Sequence, residues 1–201
     1  MNNNNVEVEI KFPLPVVLQS FYALMWDQLK PKLETPRHLE HNLLFKSPGV
    51  MANGATLRLR RSGEGDATLT YKDKKGVSGN TKYKHRRELE TLVSNGDIVE
   101  EILETLGFEV SFAYEKVRSV YAVKGGKIMI DETPIGNFGE LEGPPEWIDA
   151  TAAKLGIKSE DYLTLSYPEL FSQWKKQTGS KAEYMTFDAF QIAMLNINGR
   201  K

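Results

Sequence analysis

The sequence contains no cysteine. That absence excludes disulfide scaffolds, thiolate zinc sites and cysteine nucleophiles together, and it fits a cytoplasmic protein. Long apolar runs are missing as well. No stretch approaches the roughly 18 residues that a membrane span needs. Met1–Asn5 is polar, with no basic stretch leading into an apolar one, so no secretory signal is expected. Neither sign of charge is in excess: 26 Lys+Arg stand against 27 Asp+Glu, a formal net charge of −1. A protein that coats duplex nucleic acid through overall basicity is therefore not expected. Histidine occurs three times. His38 and His41 are spaced to opposite faces of a strand, and His85 stands apart, so a transition-metal site is not indicated.

What is present describes a globular chain. Its 201 residues are 40% hydrophobic and 10% aromatic, enough for one domain, with or without an appendage, that needs no metal or cross-link to fold. Alternation of apolar and charged residues predicts strands over Val6–Phe12, His38–Lys46, Thr56–Arg61, Thr68–Lys72, Lys82–Leu92, Phe108–Tyr114, Glu115–Val123, Lys127–Asp131 and Phe138–Glu142. Phe108–Tyr114 and Glu115–Val123 can also run together. Helical spacing predicts helices over Val16–Leu29, Asp97–Leu106, Pro145–Leu155, Ser159–Leu163, Pro168–Gln177 and Lys181–Leu195. Ser47-Pro48-Gly49, Asn53-Gly54, Ser62–Asp66, Val77–Asn80 and Gly125-Gly126 read as turns or loops. Pro31 should end the first helix, and Pro36 should keep the chain from resuming it.

The chemistry lies on the charged strand faces. Glu7, Glu9 and Lys11 share one face, successive members roughly 6.5–7 Å apart. Two carboxylates so close repel, and a buried pair stays ionised only around a cation, so they read as half of a divalent-metal site. Alone, this alternation is equally that of a solvated strand. Arg58 and Arg60 share a face, Lys72 lies on the polar face of the next strand, Arg86 heads a triplet with Glu88 and Glu90, and Lys116 and Arg118 form another pair. If these faces converge they form a cationic cluster that a polyanion would fill, with Arg forks and Lys point charges suited to phosphate oxygens. Asp131, Glu140 and Glu142 supply further acids. Residues 55–88 hold ten Lys/Arg and four Asp/Glu, and residues 131–161 hold two and eight. Both a half-solvated sheet and a closed barrel with a polar interior accommodate these patterns.

In order, the chain presents VEVEIKF at 6–12, LRLR at 57–60, LTYK at 69–72, R-x-E-x-E-T at 86–91, K-x-R at 116–118, the aspartate of IMID at 128–131 and IGNFGELEG at 135–143. This ordered set resembles the CYTH superfamily, the triphosphate tunnel metalloenzymes, over roughly residues 6–175. The resemblance implies an α+β fold: an eight-stranded antiparallel β-barrel forming a polar tunnel, with helices packed outside. It implies a domain over 1–178 and a C-terminal helical extension over 179–201. It also implies Mg²⁺ or Mn²⁺ as cofactor and a triphosphate-bearing small molecule as substrate. By position, Glu7, Glu9, Asp131, Glu140 and Glu142 match metal-ligand acids. Lys11, Arg58, Arg60, Lys72, Lys116 and Arg118 match tunnel bases, as does Arg86, although adjacent Arg87 would replace it after a one-residue slip. Glu7, Glu9 and Lys11 are the candidate catalytic residues, with Lys11 placed to orient or deprotonate the attacking water.

Two features depart from the family pattern. Phe45-Lys46-Ser47-Pro48 replaces an F-D-T-P stretch, exchanging an acid near the tunnel mouth for a base. The tail after Gln177 carries an apolar stripe of Tyr184, Met185, Phe187, Phe190, Met194 and Ile197, expected to pack on the barrel or on a second subunit, the latter making a homodimer. The favoured activity is hydrolysis of inorganic tripolyphosphate or of a nucleoside or other organic triphosphate. The alternatives are a class IV adenylyl cyclase, a thiamine triphosphatase with Trp26, Tyr71 or Trp147 as ring platform, and a polyphosphate-binding module without turnover.

Overall fold

The computed structural model describes residues 6–52, 54–63, 67–74 and 82–190. The turn readings at Asn53, Glu64–Asp66 and Val77–Asn80, the segment Met1–Asn5, and Met194, Ile197 and the end of the last expected helix lie outside the described residues.

The alternating segments become strands, each with one face turned toward a common centre. The strands are β1 (Val6–Leu14), β2 (Lys32–Lys46), β3 (Thr56–Ser62), β4 (Ala67–Asp73), β5 (Lys84–Val93), β6 (Glu109–Val123), β7 (Gly126–Thr133) and β8 (Gly136–Glu142). They close into an antiparallel barrel in the order β1-β5-β4-β3-β2-β6-β7-β8. Consecutive strands from β2 to β5 and from β6 to β8 are neighbours. Closure is made by β1, paired to β5 through Glu7↔Arg86 and to β8 through Lys11↔Glu140. A closed barrel leaves no unpaired edge and gives each strand one inner and one outer face.

The outer faces bury their apolar residues under helices. Ile10, Phe12, Ile128, Ile130 and Leu141 pack beneath α1 (Gln19–Leu29) and α4 (Pro145–Lys154), which contribute Phe21, Met25, Ile148 and Ala152. On the other flank, Leu43, Phe45, Leu57 and Leu59 pack beneath Leu103 of α3 (Gly96–Thr105). The Asn95 side chain caps α3 by accepting from the Asp97 and Ile98 amides. Gly107 follows at φ +83°, a left-handed conformation that glycine adopts without strain.

Several elements differ from expectation. The segments 108–114 and 115–123 form one continuous strand, β6. β2 begins at Lys32 and so carries Pro36 within it. The β2–β6 pairing shifts register between Leu33 and Thr35 and again between Thr35 and His38, a bulged stretch that tolerates a residue without an N–H. Ser47-Pro48-Gly49 leads into a short helix, α2 (Pro48–Ala52), rather than a plain turn. Ser159–Asp161 is a single 3₁₀ turn instead of a helix reaching Leu163. Residues 181–186 are not helical. Met185 instead bridges Tyr114 as an added strand residue, and helix begins at Phe187.

The helix α5 (Tyr167–Thr178) does not join the outer layer. It packs with Ala182 and Met185 against Tyr114 and Phe138, with Leu44 and Phe112 alongside. Those four continue the inward-facing alternation of β2, β6 and β8, so α5 and the segment after it close one end of the barrel. Leu163 pairs with Lys11 through two backbone hydrogen bonds of 3.0 and 2.7 Å, fixing the chain that leads into this plug. No helix among the described residues is long and apolar enough to cross a membrane.

Candidate active site

The barrel interior holds a cavity of about 530 Å³. Of the expected site residues, Glu7, Glu9, Lys11, Arg58, Arg60, Lys72, Arg86, Lys116, Arg118, Glu140 and Glu142 line it. They arrive from six strands, most of them in sets spaced two residues apart, which is how a barrel concentrates alternating charge at its centre. Arg86 faces the cavity. Arg87 lies on the outer side, its guanidinium paired with Asp73 at 2.6 and 3.0 Å, which settles the register between the two.

The acids and bases alternate in space. Lys11 and Arg118 both donate to Glu140, the latter at 2.5 Å. Arg118 also reaches both oxygens of Asp131 at 2.6 Å, and Lys116 donates to Asp131 at 3.0 Å. Lys72 bridges Glu7 at 2.6 Å and Glu88 at 2.8 Å, and Lys84 donates to Glu9 at 2.6 Å. Three of the arginines are less fully engaged. The Nε atoms of Arg58, Arg60 and Arg86 are buried and without a hydrogen-bond partner. Buried donors are normally satisfied, so three guanidinium groups with unpartnered Nε donors in one cavity mark a place for an acceptor-rich ligand.

The protonation pattern follows from this layout. Burial, then the nearby Glu9, pushes Glu7 up to about 7 despite Lys72. Burial opposes ionisation of Glu9 too, but Lys84 and Lys11 outweigh it and hold the group at about 2. Burial, then Glu9, raises Glu142. Glu140 is held well below the carboxylate range because Arg118, Lys11 and Lys116 overcome its burial.

Asp131 departs from its expected role. It faces inward yet is fully buried and absent from the cavity wall, its oxygens taken by Lys116, Arg118 and the Tyr167 hydroxyl at 2.5 Å. Strand alternation sets the face a residue occupies but not its depth, and Tyr167 covers this one. Glu140 reaches the cavity but is likewise spent on Lys11 and Arg118. Lys46, expected near the mouth, is paired with Glu109 at 2.9 Å and does not line the cavity. Trp26, Tyr71 and Trp147 also lie outside the cavity lining; Trp147, for one, covers Gly125, Gly126 and Gly143.

The donors left for a metal are Glu7, Glu9 and Glu142. Glu9 and Glu142 are direct cross-strand partners, and Glu7 and Glu142 are shifted upward first by burial and then by the charge of Glu9, both of which a bound cation would offset. An all-oxygen, carboxylate set fits hard Mg²⁺ or Mn²⁺. Among the described residues no three acidic or histidine side chains already converge on one point, because Glu7 and Glu9 are turned onto Lys72 and Lys84. This suits an ion that takes few carboxylates and completes its shell with water and substrate oxygens.

Glu40, Lys84, Tyr114 and Tyr167 also line the cavity and were missed by the sequence reading. Lys84 extends the Arg86-Glu88-Glu90 alternation by one step, and Tyr114 extends Lys116-Arg118 likewise. His38, Glu40 and Asn42 form a polar i, i+2, i+4 set on β2. Tyr167 precedes a proline at a helix start and gave no signal. Its ring lies 4.6 Å from the Lys11 ammonium and 5.1 Å from that of Lys116.

Comparison with known families matches the CYTH domain over residues 5–167. The chain belongs to the CYTH domain family. Solved structures agree in fold. A candidate adenylate cyclase from Vibrio parahaemolyticus superposes with a TM-score of 0.69 at 21% identity, covering 84% of this chain and 98% of its own. A protein of Pyrococcus horikoshii OT3 gives 0.69 at 22% identity, covering 82% and 98%. A candidate adenylyl cyclase from Hippeastrum, described as revealing a dominant triphosphatase activity, gives 0.57 at 21%, covering 86% and 95%. No curated protein matches the chain. The matched CYTH region takes in every strand and ends at Tyr167, the residue that begins the plug.

Proposed function

We propose that this CYTH protein is a metal-dependent hydrolase of triphosphates. The observation that carries the reading is one cavity in which Arg58, Arg60 and Arg86 keep buried Nε donors without a partner and Glu7, Glu9 and Glu142 also line the wall. Phosphoryl transfer asks little covalent work of a protein. It asks that the phosphoryl group be held in line and its charge neutralised. The three arginines hold phosphate oxygens, with Lys72 and Lys116 adding charge. Asp131 and Glu140 keep Arg118 and Lys116 extended into the cavity before substrate arrives, which is preorganisation. Glu7, Glu9 and Glu142 would hold Mg²⁺ or Mn²⁺, which supplies charge neutralisation at the phosphate oxygens. Lys11, fixed by Glu140 and by the Tyr167 ring, orients the attacking water. The α5 plug closes the inner end against bulk solvent.

A pure binding module would gain nothing from placing repelling carboxylates beside the anion site. Phosphate release is therefore expected from tripolyphosphate, ATP or thiamine triphosphate in the presence of Mg²⁺ or Mn²⁺. The same panel, monitored for cyclic AMP, tests the cyclase reading, in which a ribose hydroxyl replaces water. Release of phosphate from none of the three, with either metal, would overturn the hydrolase assignment.

A further inference from the structure

One acid in the cavity does not fit a site made only for phosphate. Glu40 lies on the inner face of β2 and is 2% exposed. The neighbouring cations stand back from it: Arg60 and Lys116 are each 3.5 Å away, as is the His38 ring. The tight ion pairs of the cavity are 2.5–3.0 Å long. Its Oε2 is buried and accepts no hydrogen bond. Next on the same strand face, the Asn42 side chain is fully buried with both amide atoms unpartnered. Asn42 lies too deep to line the cavity, whereas Glu40 does line it and brings an unpaired acceptor oxygen into the midst of bases.

Phosphate oxygens are acceptors, and an ionised carboxylate repels them. Burial opposes ionisation of Glu40, but Lys116, His38, Arg118 and Arg60 outweigh it and keep it charged. A second metal ion is no better an occupant, since Arg60 and Lys116 flank the position. The partner that suits it is a neutral hydrogen-bond donor, a hydroxyl or an amine. Leu44, Val120, Met129 and the rings of Tyr114 and Tyr167 also line the cavity, and bare polyphosphate makes no use of apolar walls. The cavity volume of about 530 Å³ lies within the range of pockets that enclose an organic molecule.

We infer that Glu40 is a specificity-determining residue that receives a hydroxyl or amine on the organic end of the substrate, so that the site takes organic triphosphates in preference to inorganic tripolyphosphate. The inference rests on the triphosphate reading of the cavity and narrows its substrate class. A site that hydrogen-bonds a substrate hydroxyl discriminates strongly against a ligand lacking it, and hydrogen bonds to charged groups are the stronger ones.

The test is equilibrium binding by calorimetry, with Mg²⁺, of tripolyphosphate and of a non-hydrolysable methylene analogue of ATP. Wild-type protein is compared with Glu40→Gln, which keeps the volume, and with Glu40→Leu. The expected result is a fall of about tenfold or more in the affinity ratio of nucleotide over tripolyphosphate, with tripolyphosphate binding unchanged or tighter. Equal losses for both ligands, an unchanged ratio, or absence of binding would overturn the inference. If Glu40→Leu fails to fold, Glu40→Gln alone decides it. A parallel phosphate-release assay separates the two claims: binding with the expected ratio change but no turnover defeats the hydrolase reading and leaves the specificity assignment standing.

Discussion

Glu9 and Glu142 stand directly opposite each other across the β1–β8 pair. Cross-strand partners bring their Cβ atoms to roughly 4.5–5.5 Å, and like charges there are destabilising. The barrel tolerates the pair because Lys84 neutralises Glu9, while Glu142 is raised first by its burial and then by Glu9. Replacing Glu142 with Gln should therefore stabilise the metal-free protein by up to about 1 kcal/mol, a rise of roughly 2–4 °C in Tm for a chain of this size. The same variant should lose most of the Tm gain that Mg²⁺ gives the wild type. Differential scanning calorimetry with and without Mg²⁺ measures both. A lower Tm in metal-free buffer would contradict this account of the pair.

Glu7 gives a pH dependence of known sign. Its carboxyl is raised from 4.5 to about 7, first by burial and then by Glu9. A group raised in the folded state contributes stability that is fully present below the unfolded value and is lost as pH rises through the folded one. The wild type should lose on the order of 2–3 kcal/mol from this group between about pH 4.5 and 8. Glu7→Gln should show a correspondingly shallower decline, read as the denaturant midpoint at about pH 5 and about pH 8. Turnover should rise through about pH 7 as Glu7 ionises and becomes able to hold a metal.

The inward charges were readable from sequence because strand alternation has a period of two and any polar run declares its face. Glu7, Glu9, Arg58, Arg60, Lys116 and Arg118 all lie where that rule puts them. Depth within the barrel was not readable. Asp131 shares the inward face with the wall residues yet lies behind them, and both it and Glu140 are consumed by ion pairs to their cross-strand partners Arg118 and Lys11, pairings that the separate segments of sequence do not declare. The plug was equally hidden. α5 carries an amphipathic pattern that suits an outer layer as well as a barrel end, and only its contacts with Tyr114 and Phe138 distinguish the two. Glu40 sits in regular register with Lys116, but the polar run His38-Leu39-Glu40-His41-Asn42 puts His41 on the outer face, so polarity alone does not declare which of its members face inward.

Arg86 and Arg87 form a matched pair for testing the cavity. Arg86 donates to the Lys72 carbonyl at 2.8 Å, and among the described residues no carboxylate pairs with it. Arg86→Ala should weaken tripolyphosphate binding by roughly 10- to 100-fold, the worth of a charge-assisted hydrogen bond, with little change in Tm. Arg87→Ala breaks the outer pair with Asp73, whose carboxylate is buried, and should leave binding unchanged while lowering Tm, as removing one partner of a buried ion pair does. Isothermal titration of both variants decides. Equal binding losses would mean that the register, and with it the inward set, is misassigned.

Asp131 separates structural from metal-binding carboxylates. If it were a ligand, Asp131→Asn would abolish the Mg²⁺ response and leave the metal-free protein at least as stable. The geometry requires the opposite. Lys116 and Arg118 are buried and both donate to this carboxylate, and removing one member of a buried ion cluster leaves uncompensated charge costing about 3–5 kcal/mol. Metal-free Asp131→Asn should melt on the order of 10 °C lower. The Mg²⁺-induced rise in Tm should persist, because Glu7, Glu9 and Glu142 are untouched. Tripolyphosphate affinity should fall as well, since Lys116 and Arg118 would no longer be held toward the substrate. Scanning calorimetry across a Mg²⁺ titration reads the first two effects in one experiment, and loss of the Mg²⁺ response at an unchanged metal-free Tm would return Asp131 to the metal site.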